Sequence, residues 1–147
     1  MGPSMQEFWL KMKTLLVLAR QAINQRLNDL GLTSAAGDII FNLKEELAGL
    51  SQEELRERLS IGKAAISRTV DTLVQKGYAR RAAHPQDARL RLVSLTRKGR
   101  EISGRVAEAY QAVFLLIKQD IPEEDFRRVG LMLERIQSNL SGGGKPA

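Results

Sequence analysis

The chain contains no cysteine, which excludes disulfides, thiol nucleophiles, cysteine-ligated zinc and thiol-based redox sensing. It has a single histidine, His84, which leaves no material for a His-rich metal site. His84-x-x-Asp87 has a ligand-like spacing, but two candidate ligands in a Pro-containing loop fall short of a coordination shell. No metal and no other cofactor is expected. A Ser-His-Asp site would have to recruit the same histidine, and no nucleophile-elbow sequence accompanies it. The acidic pairs Glu45-Glu46 and Glu123-Glu124 lie in helical patterns, where solvated faces or first-turn charges account for them. No catalytic residue emerges, and an enzyme is not expected. Long apolar runs are missing as well: none approaches the ~18 residues of a membrane span. The apolar start around Phe8 and Leu10 is interrupted by Lys11, Lys13 and Arg20, unlike a secretory signal. The expected setting is the cytoplasm, without a membrane partner.

Acidic residues are scarce in one region in particular. Residues 63–105 hold eleven of the 23 basic residues and only three of the 17 acidic ones, Asp71, Asp87 and Glu101. That segment carries +8, while the remainder of the chain carries −2, so the net charge of +6 is local. A concentrated cationic strip attracts a polyanion and gains free energy by releasing its condensed counterions. Double-stranded DNA is the first partner to consider.

At 147 residues, with 43% hydrophobic composition, the chain suits one ordinary folded domain with extensions that pack against a partner. Phe8, Met12, Leu16, Ala19, Ile23 and Leu27 recur at spacings of three and four, which predicts a helix over residues 5–28. Leu15, Leu18 and Ala22 widen its apolar stripe beyond a single seam. Such a helix is roughly 36 Å long, more than a small domain covers, so a second chain is one way to bury it; the other is to lie across its own domain. Gly31 ends it, and Thr33 or Ser34 caps a helix carrying Ile39, Ile40, Leu43 and Leu47. Gly37 inside that helix costs stability unless something packs closely there. Ser51-x-x-Glu54 is a capping box that opens a short helix through Leu55 and Leu59.

After Ser60-Ile61-Gly62 a further helix is predicted over residues 63–76, stopped by Gly77. Ile66, Val70, Leu73 and Val74 fall on one side of it, and Ala64, Ala65, Arg68, Thr72 and Gln75 fall opposite, with Ser67 and Asp71 on one flank and Thr69 on the other. Small residues near its start permit close approach to base edges, and Arg68 can reach guanine or phosphate. An ordinary amphipathic surface helix would look the same. Residues 78–82 and 90–95, joined by a turn through Pro85, read as a hairpin. Thr96 caps a long helix to about residue 119 with Ile102, Val106, Ala109, Val113 and Leu116 on one face. Pro122 opens a last helix, in which Phe126, Val129, Leu133, Ile136 and Leu140 make the stripe and Glu123, Glu124 and Asp125 suit the positive N-terminus. Three consecutive glycines suggest a flexible tail over residues 141–147.

The run Leu55-x3-Leu59-x6-Ile66-Ser67-Arg68-x-Val70-Asp71-x-Leu73-x3-Gly77-Tyr78, followed by Asp87-Ala88-Arg89 and by Val93-Ser94-Leu95-Thr96-x-x-Gly99, resembles the MarR family of bacterial transcriptional regulators. The resemblance extends over nearly the whole chain. It implies a mainly α fold with a small β-hairpin wing: a winged helix-turn-helix at residues 33–96 flanked by dimerisation helices at 5–30 and 97–140. It also implies an interlocked homodimer that presents two such units to a palindromic operator. Two departures stand out: Arg56 occupies a position where the family often has a small alanine, and Gly62 replaces the usual polar cap of the recognition helix.

Carried onto this sequence, the DNA-binding residues are Lys63, Ala64, Ala65, Ser67, Arg68, Thr69, Thr72 and Gln75 of the recognition helix and Arg80, Arg81, Arg89 and Arg91 of the wing. Arg89 matches the family's wing arginine, which either approaches the minor groove or pairs with the acid corresponding to Asp71. Asp71 and Asp87 are assigned to orienting the wing, since a carboxylate beside phosphates is repelled. Trp9, Phe41 and Tyr110 are the candidates for an effector pocket suited to a small aromatic or lipophilic anion. The implied function is a sequence-specific regulator, a repressor by family habit. The alternatives are a constitutive architectural DNA binder without an effector and a winged helix used for protein contact, the latter disfavoured by the +8 strip.

Overall fold

The computed structural model describes residues 1–142. The tail expected over residues 141–147 lies, from residue 143 onward, outside the described residues. Six helices and three short strands follow one another as α1 (Met5–Asn28), α2 (Ser34–Leu43), β1 (Leu50–Ser51), α3 (Gln52–Leu59), α4 (Lys63–Gln75), β2 (Ala79–His84), β3 (Asp87–Leu95), α5 (Arg97–Lys118) and α6 (Glu123–Leu140). The strands form an antiparallel sheet in the order β1-β3-β2. The chain divides into two compact units, Met1–Val113 and Phe114–Ala147. No described helix is long and apolar enough to cross a membrane.

Local chemistry sets the element boundaries. Ser4 and Glu7 form a capping box at the start of α1, Thr33 caps α2 through Ala36 N–H, and Ser51 with Glu54 caps α3. Each satisfies backbone donors that have no partner within the helix. Gly62 begins α4 without a side-chain cap. Ser60 closes α3 in the left-handed region at φ 51°. The expected continuation of α2 to Leu47 does not occur: the helix ends at Leu43, and Leu47 is exposed. The reason is β1, which the sequence reading missed. Leu50 pairs with Val93 and is itself buried, so the chain must leave the helix early to reach the sheet edge. Two residues are too few to show any periodicity.

The first unit closes around Leu27 of α1, Ile39, Ile40 and Leu43 of α2, Leu55 of α3, Ile66, Val70 and Leu73 of α4, Val93 and Leu95 of β3, and Val106 of α5. The close approach expected at Gly37 is to Leu27, whose Cδ1 would lie 2.4 Å from an added Cβ. In the second unit, Phe114 and Phe126 meet edge to face, and Lys118 lies near both rings while pairing with Glu123.

The Leu95-Thr96-x-x-Gly99 motif acquires a physical reading at the junction of sheet and α5. The Thr96 hydroxyl donates to Gly77 C=O at 2.5 Å and accepts from Gly99 N–H at 3.1 Å, while Thr96 N–H donates to Tyr78 C=O. A Cβ at position 99 would stand 1.9 Å from the Tyr78 carbonyl oxygen. Nothing larger than glycine fits unless the backbone moves. Gly99→Ala should therefore destabilise by about 1–3 kcal/mol, the range for overpacking a close-packed site. Gly104→Ala on the same helix, where an added Cβ meets nothing, should be neutral or stabilise by up to ~1 kcal/mol. Thermal unfolding followed by circular dichroism separates the two, and equal melting temperatures would refute the steric account.

Candidate nucleic-acid interface

The orientation of α4 follows from its buried stripe. Ile66, Val70 and Leu73 are each at most 1% exposed, so the opposite side of the helix must face outward. Lys63, Ala64, Arg68, Thr72 and Gln75 are exposed there, and Ala65, Ser67 and Thr69 are half-buried at its margins. The threonine hydroxyls are already committed as donors: Thr69 Oγ1 to Ala65 C=O at 2.8 Å and Thr72 Oγ1 to Arg68 C=O at 3.1 Å. Their remaining lone pairs can only accept, which suits the amino groups of adenine and cytosine.

The wing is the β2–β3 hairpin. Its inner end is fixed by the buried Ala79, Val93 and Leu95, whereas most side chains from Ala82 to Arg91 are exposed. At the tip, Gln86 N–H donates to His84 Nδ1 at 3.0 Å, and Arg89 N–H donates to Asp87 Oδ1 at 3.0 Å. Asp87 thus holds the turn of the wing. Arg80 extends from β2 with its Nε 3.3 Å from Ser94 Oγ.

Helix α4 and the hairpin border one cleft of ≈ 470 Å³, lined by Ser51, Gln52 and Glu53 at the start of α3, Lys63 and Ile66 of α4, and Arg81, Arg89, Leu90 and Arg91 of the sheet. Four of the predicted cations therefore share one concave surface. Arg68 lies outside this lining, farther along the exposed side of α4.

The charged strip is not uniformly available. Lys76 Nζ bonds Gly31 C=O at 3.2 Å, Lys98 Nζ bonds Lys76 C=O at 2.9 Å and sits over the Tyr78 ring, and Arg100 bonds Leu95 C=O at 3.2 Å. These cations occupy carbonyls at helix ends and at the sheet junction, where the partial negative charge favours them. Arg97 pairs with Glu101. Among the described residues the side chains of Lys63, Arg68, Arg89, Arg91 and Arg105 have no hydrogen-bond or ion-pair partner, and the first four are on α4 and the wing.

The partner of Asp71 is the point at which structure and sequence part. Of the two roles open to Arg89, pairing with Asp71 is not the one seen: Asp71 Oδ1 lies 2.6 Å from Arg81 Nη2, and Arg81 Nε donates to Gln52 Oε1 at 3.1 Å. Arg81, expected to contact DNA, is the half-buried member of this pair, its side chain 24% exposed against 56% for Asp71. Two arginines of like character lie eight positions apart on a hairpin, and only the register decides which one reaches α4. Gln52 carried no signal in the sequence beyond its place after the Ser51 cap.

Among the effector candidates, Phe41 and Tyr110 are stacked with centroids 4.4 Å apart. The Tyr110 hydroxyl donates to Asp38, which also receives Arg20 Nη1 at 3.0 and 3.2 Å. Burial, with the adjacent carboxylate, pushes the Tyr110 phenol well above its ordinary value, so it stays a donor. Trp9 is exposed on α1, eleven residues before Arg20 and hence about 16 Å away along the helix axis. The structure brings the first two together and leaves Trp9 apart. Asn24, one turn beyond Arg20, has a buried Oδ1 without a partner.

Comparison with known proteins accords with this geometry. A sequence model of the MarR family matches residues 30–90. The multiple antibiotic resistance protein MarR of Escherichia coli (strain K12) is 30% identical over 102 residues, covering 69% of this chain; the chain spans 65% of that relative's length. Among solved structures, CouR from Rhodococcus jostii RHA1 bound to p-coumaroyl-CoA aligns with a TM-score of 0.81 at 21% identity, covering 90% of each chain. The MepR–DNA complex of S. aureus aligns with a TM-score of 0.81 at 18% identity, covering 90% of this chain and 97% of that one. At such identities the structural likeness speaks for the fold. With the sequence matches it leads to one conclusion: this chain belongs to the MarR family.

Proposed function

We propose that the protein is a sequence-specific DNA-binding transcriptional regulator, acting as a homodimer on a palindromic operator and repressing in the absence of an effector. The observation that carries this reading is the shared face of α4 and the wing. There Lys63, Arg68, Arg89 and Arg91 stand without partners beside a helix whose small outward residues permit approach to base edges. The MepR neighbour, solved with DNA, supports the same use of the fold. Arg68 and the outward side of α4 read the major groove in this scheme, and the wing follows the adjacent backbone and minor groove.

The dimer is supported by apolar surface that one chain leaves uncovered. Leu10, Leu15 and Leu16 of α1 are each more than 60% exposed, and no residue of α6 is buried. Patches of this kind on a small chain mark an interaction surface. An isologous pairing of two copies also generates the two-fold symmetry that a palindrome matches. Release is assigned to a small aromatic or lipophilic effector acting at Phe41 and Tyr110. That aromatic pair adjoins the Arg20–Asp38 link between α1 and α2, and the CouR neighbour is solved with an aromatic thioester bound.

Selection from a randomised duplex pool should return a palindrome with half-sites about one helical turn apart. Enrichment of no sequence would favour the constitutive architectural reading. With four uncommitted cations per chain, a dimer neutralises up to about eight phosphates. The log–log salt slope should then be roughly −7, and affinity should fall ~10³–10⁵-fold between about 50 and 200 mM salt; a flat dependence would refute the electrostatic account. Arg68→Ala should cost about 1–3 kcal/mol and relax preference at one operator position if Arg68 meets a base edge.

Sedimentation should give twice the 16.4 kDa chain mass. Leu16→Glu is close to neutral if the residue faces water in a monomer, and should dissociate the dimer or abolish folding if the α1 face is an interface. A folded Leu16→Glu dimer of unchanged stability would remove α1 from the interface.

A further inference from the structure

We propose that the outer face of the hairpin, the one turned away from α4, holds a small-molecule site built around Arg80 for an apolar monocarboxylate of the short fatty acid class. The site shares no residue with the cleft beside α4 or with the Phe41–Tyr110 pair, and it does not depend on the DNA-binding reading above.

Strand alternation separates the two faces of the sheet. Arg81 pairs with Val93, whose buried side chain marks the face against the core, while Arg80 pairs with Ser94 and Ala82 with Leu92 on the opposite face. The register thus turns Arg80, expected from the sequence among the DNA contacts, to the other side of the sheet from Arg81. There it lines a groove of ≈ 490 Å³ between the hairpin and Leu47 and Ala48 of the segment joining α2 to β1. Ligand sites commonly enclose ~300–1,000 Å³. The wall formed by that segment is held in place. Gly49 takes φ 89°, and a Cβ there would stand 2.6 Å from the Val93 carbonyl oxygen, so the backbone lies pressed onto β3.

The charged and hydroxyl groups of the lining are one-sided. Arg80 Nε donates to Ser94 Oγ at 3.3 Å, and among the described residues the two Nη groups of Arg80 have no partner. Ser94 is only 8% exposed; it accepts that bond and keeps its own proton to donate. His84 accepts Gln86 N–H on Nδ1 at 3.0 Å, so its neutral imidazole carries a proton on Nε2 and is a further donor. No carboxylate lines the groove. The acids next to it in sequence are engaged elsewhere, Glu46 with Arg58 and Asp87 with the Arg89 N–H. One guanidinium among neutral donors matches a single negative charge, and its parallel N–H groups fit the two oxygens of a carboxylate. The remaining walls, Leu47, Ala48, Ala82, Pro85 and Leu92, are apolar. Leu47 is 83% exposed, so a hydrocarbon body laid against it removes apolar surface from water on both partners. Inorganic phosphate would meet the charge and leave those walls unused.

The test uses the full chain, isotope-labelled for amide NMR and titrated with hexanoate. Hexanol supplies the body without the charge, and inorganic phosphate the charge without the body. Hexanoate should give saturable shifts of the Ala48, Ala82, Leu92 and Ser94 amides and of the Arg80 Nε–H. The Kd should be about 1 mM or below, which about eight heavy atoms supply at ordinary ligand efficiency. Hexanol and phosphate should each bind at least roughly tenfold more weakly. Arg80→Gln should weaken hexanoate roughly tenfold or more through loss of the charge-assisted pair. Leu47→Ser, a change to an exposed side chain, should weaken it about threefold. Both variants should melt within a few degrees of wild type. Because the groove faces away from α4, the same shifts should appear in the protein–duplex complex, and Leu47→Ser should bind duplex as the wild type does.

No saturable shift at these positions up to about 10 mM hexanoate, equal binding of hexanol or phosphate, or undiminished affinity in Arg80→Gln would each overturn the site. Displacement of hexanoate from these positions by duplex would overturn its placement outside the DNA face. A protein that bound hexanoate here and no duplex would refute the functional reading and leave this inference standing.

Discussion

Burial of one side of α4 decides most of what this protein presents to its surroundings. Ile66, Val70 and Leu73 enter the core formed by α1, α2, α3, β3 and α5, and removing any of these side chains would cost several kcal/mol with the cavity left behind. That stripe fixes the rotation of the helix. Once it is fixed, Arg68, Thr72 and Gln75 have no direction available except outward. The same core holds the base of the hairpin through Val93 and Leu95, so helix and wing are referred to one rigid body. An apolar constraint thereby sets the geometry of a polar surface.

Electrostatics then divides that surface into cations that hold the fold and cations that remain uncommitted. The division follows the unsatisfied carbonyls: Lys76, Lys98 and Arg100 lie where helix ends or the sheet junction leave acceptors open. Lys63, Arg89 and Arg91 surround a cleft whose walls contribute Glu53 as the one carboxylate. A pair as exposed as Asp71 and Arg81 adds only roughly 0.2–1 kcal/mol to folding. What it contributes is a link, because the one guanidinium joins β2 to α4 through Asp71 and to α3 through Gln52. Net charge explains attraction to a polyanion; the distribution of partners explains where the attraction is applied.

A second physical problem is solved differently. Leu10, Leu15 and Leu16 of α1, and Leu131, Met132 and Leu133 of α6, stay exposed in the single chain. Helix α1 starts at a capping box, and α6 carries Glu123, Glu124 and Asp125 in its first turn, so poor helix formation is not the cause. Exposed apolar surface of this extent on two helices marks an interaction surface, and pairing of two copies is the arrangement proposed above to cover it.

Much of this was legible in the residues. The 3.6-residue periodicity located the six helices, with α1 at Met5–Asn28 as expected, the Ser51–Glu54 capping box marking the start of α3, and only α2 ending short of the expected Leu47, because these signals are local and depend on neighbours within a turn or two. Alternation and the Pro85 turn located the hairpin for the same reason. The motif Leu-Thr-x-x-Gly pointed to the family, although its cause, a carbonyl of Tyr78 lying where a Cβ would be, belongs to the folded chain. Three things were decided only in three dimensions. Strand β1 exists because Leu50 finds Val93 across more than forty residues. The basic strip separates into bound and unbound members because carbonyls from distant segments come within reach. Arg81, not Arg89, meets Asp71 because the hairpin register, which pairs Arg81 with Val93 and leaves Arg89 without a ladder partner, chooses between two chemically identical side chains. Composition and periodicity determine which elements form and what charge they carry; pairing across the chain determines which side chain touches which, because that depends on distances no local pattern encodes.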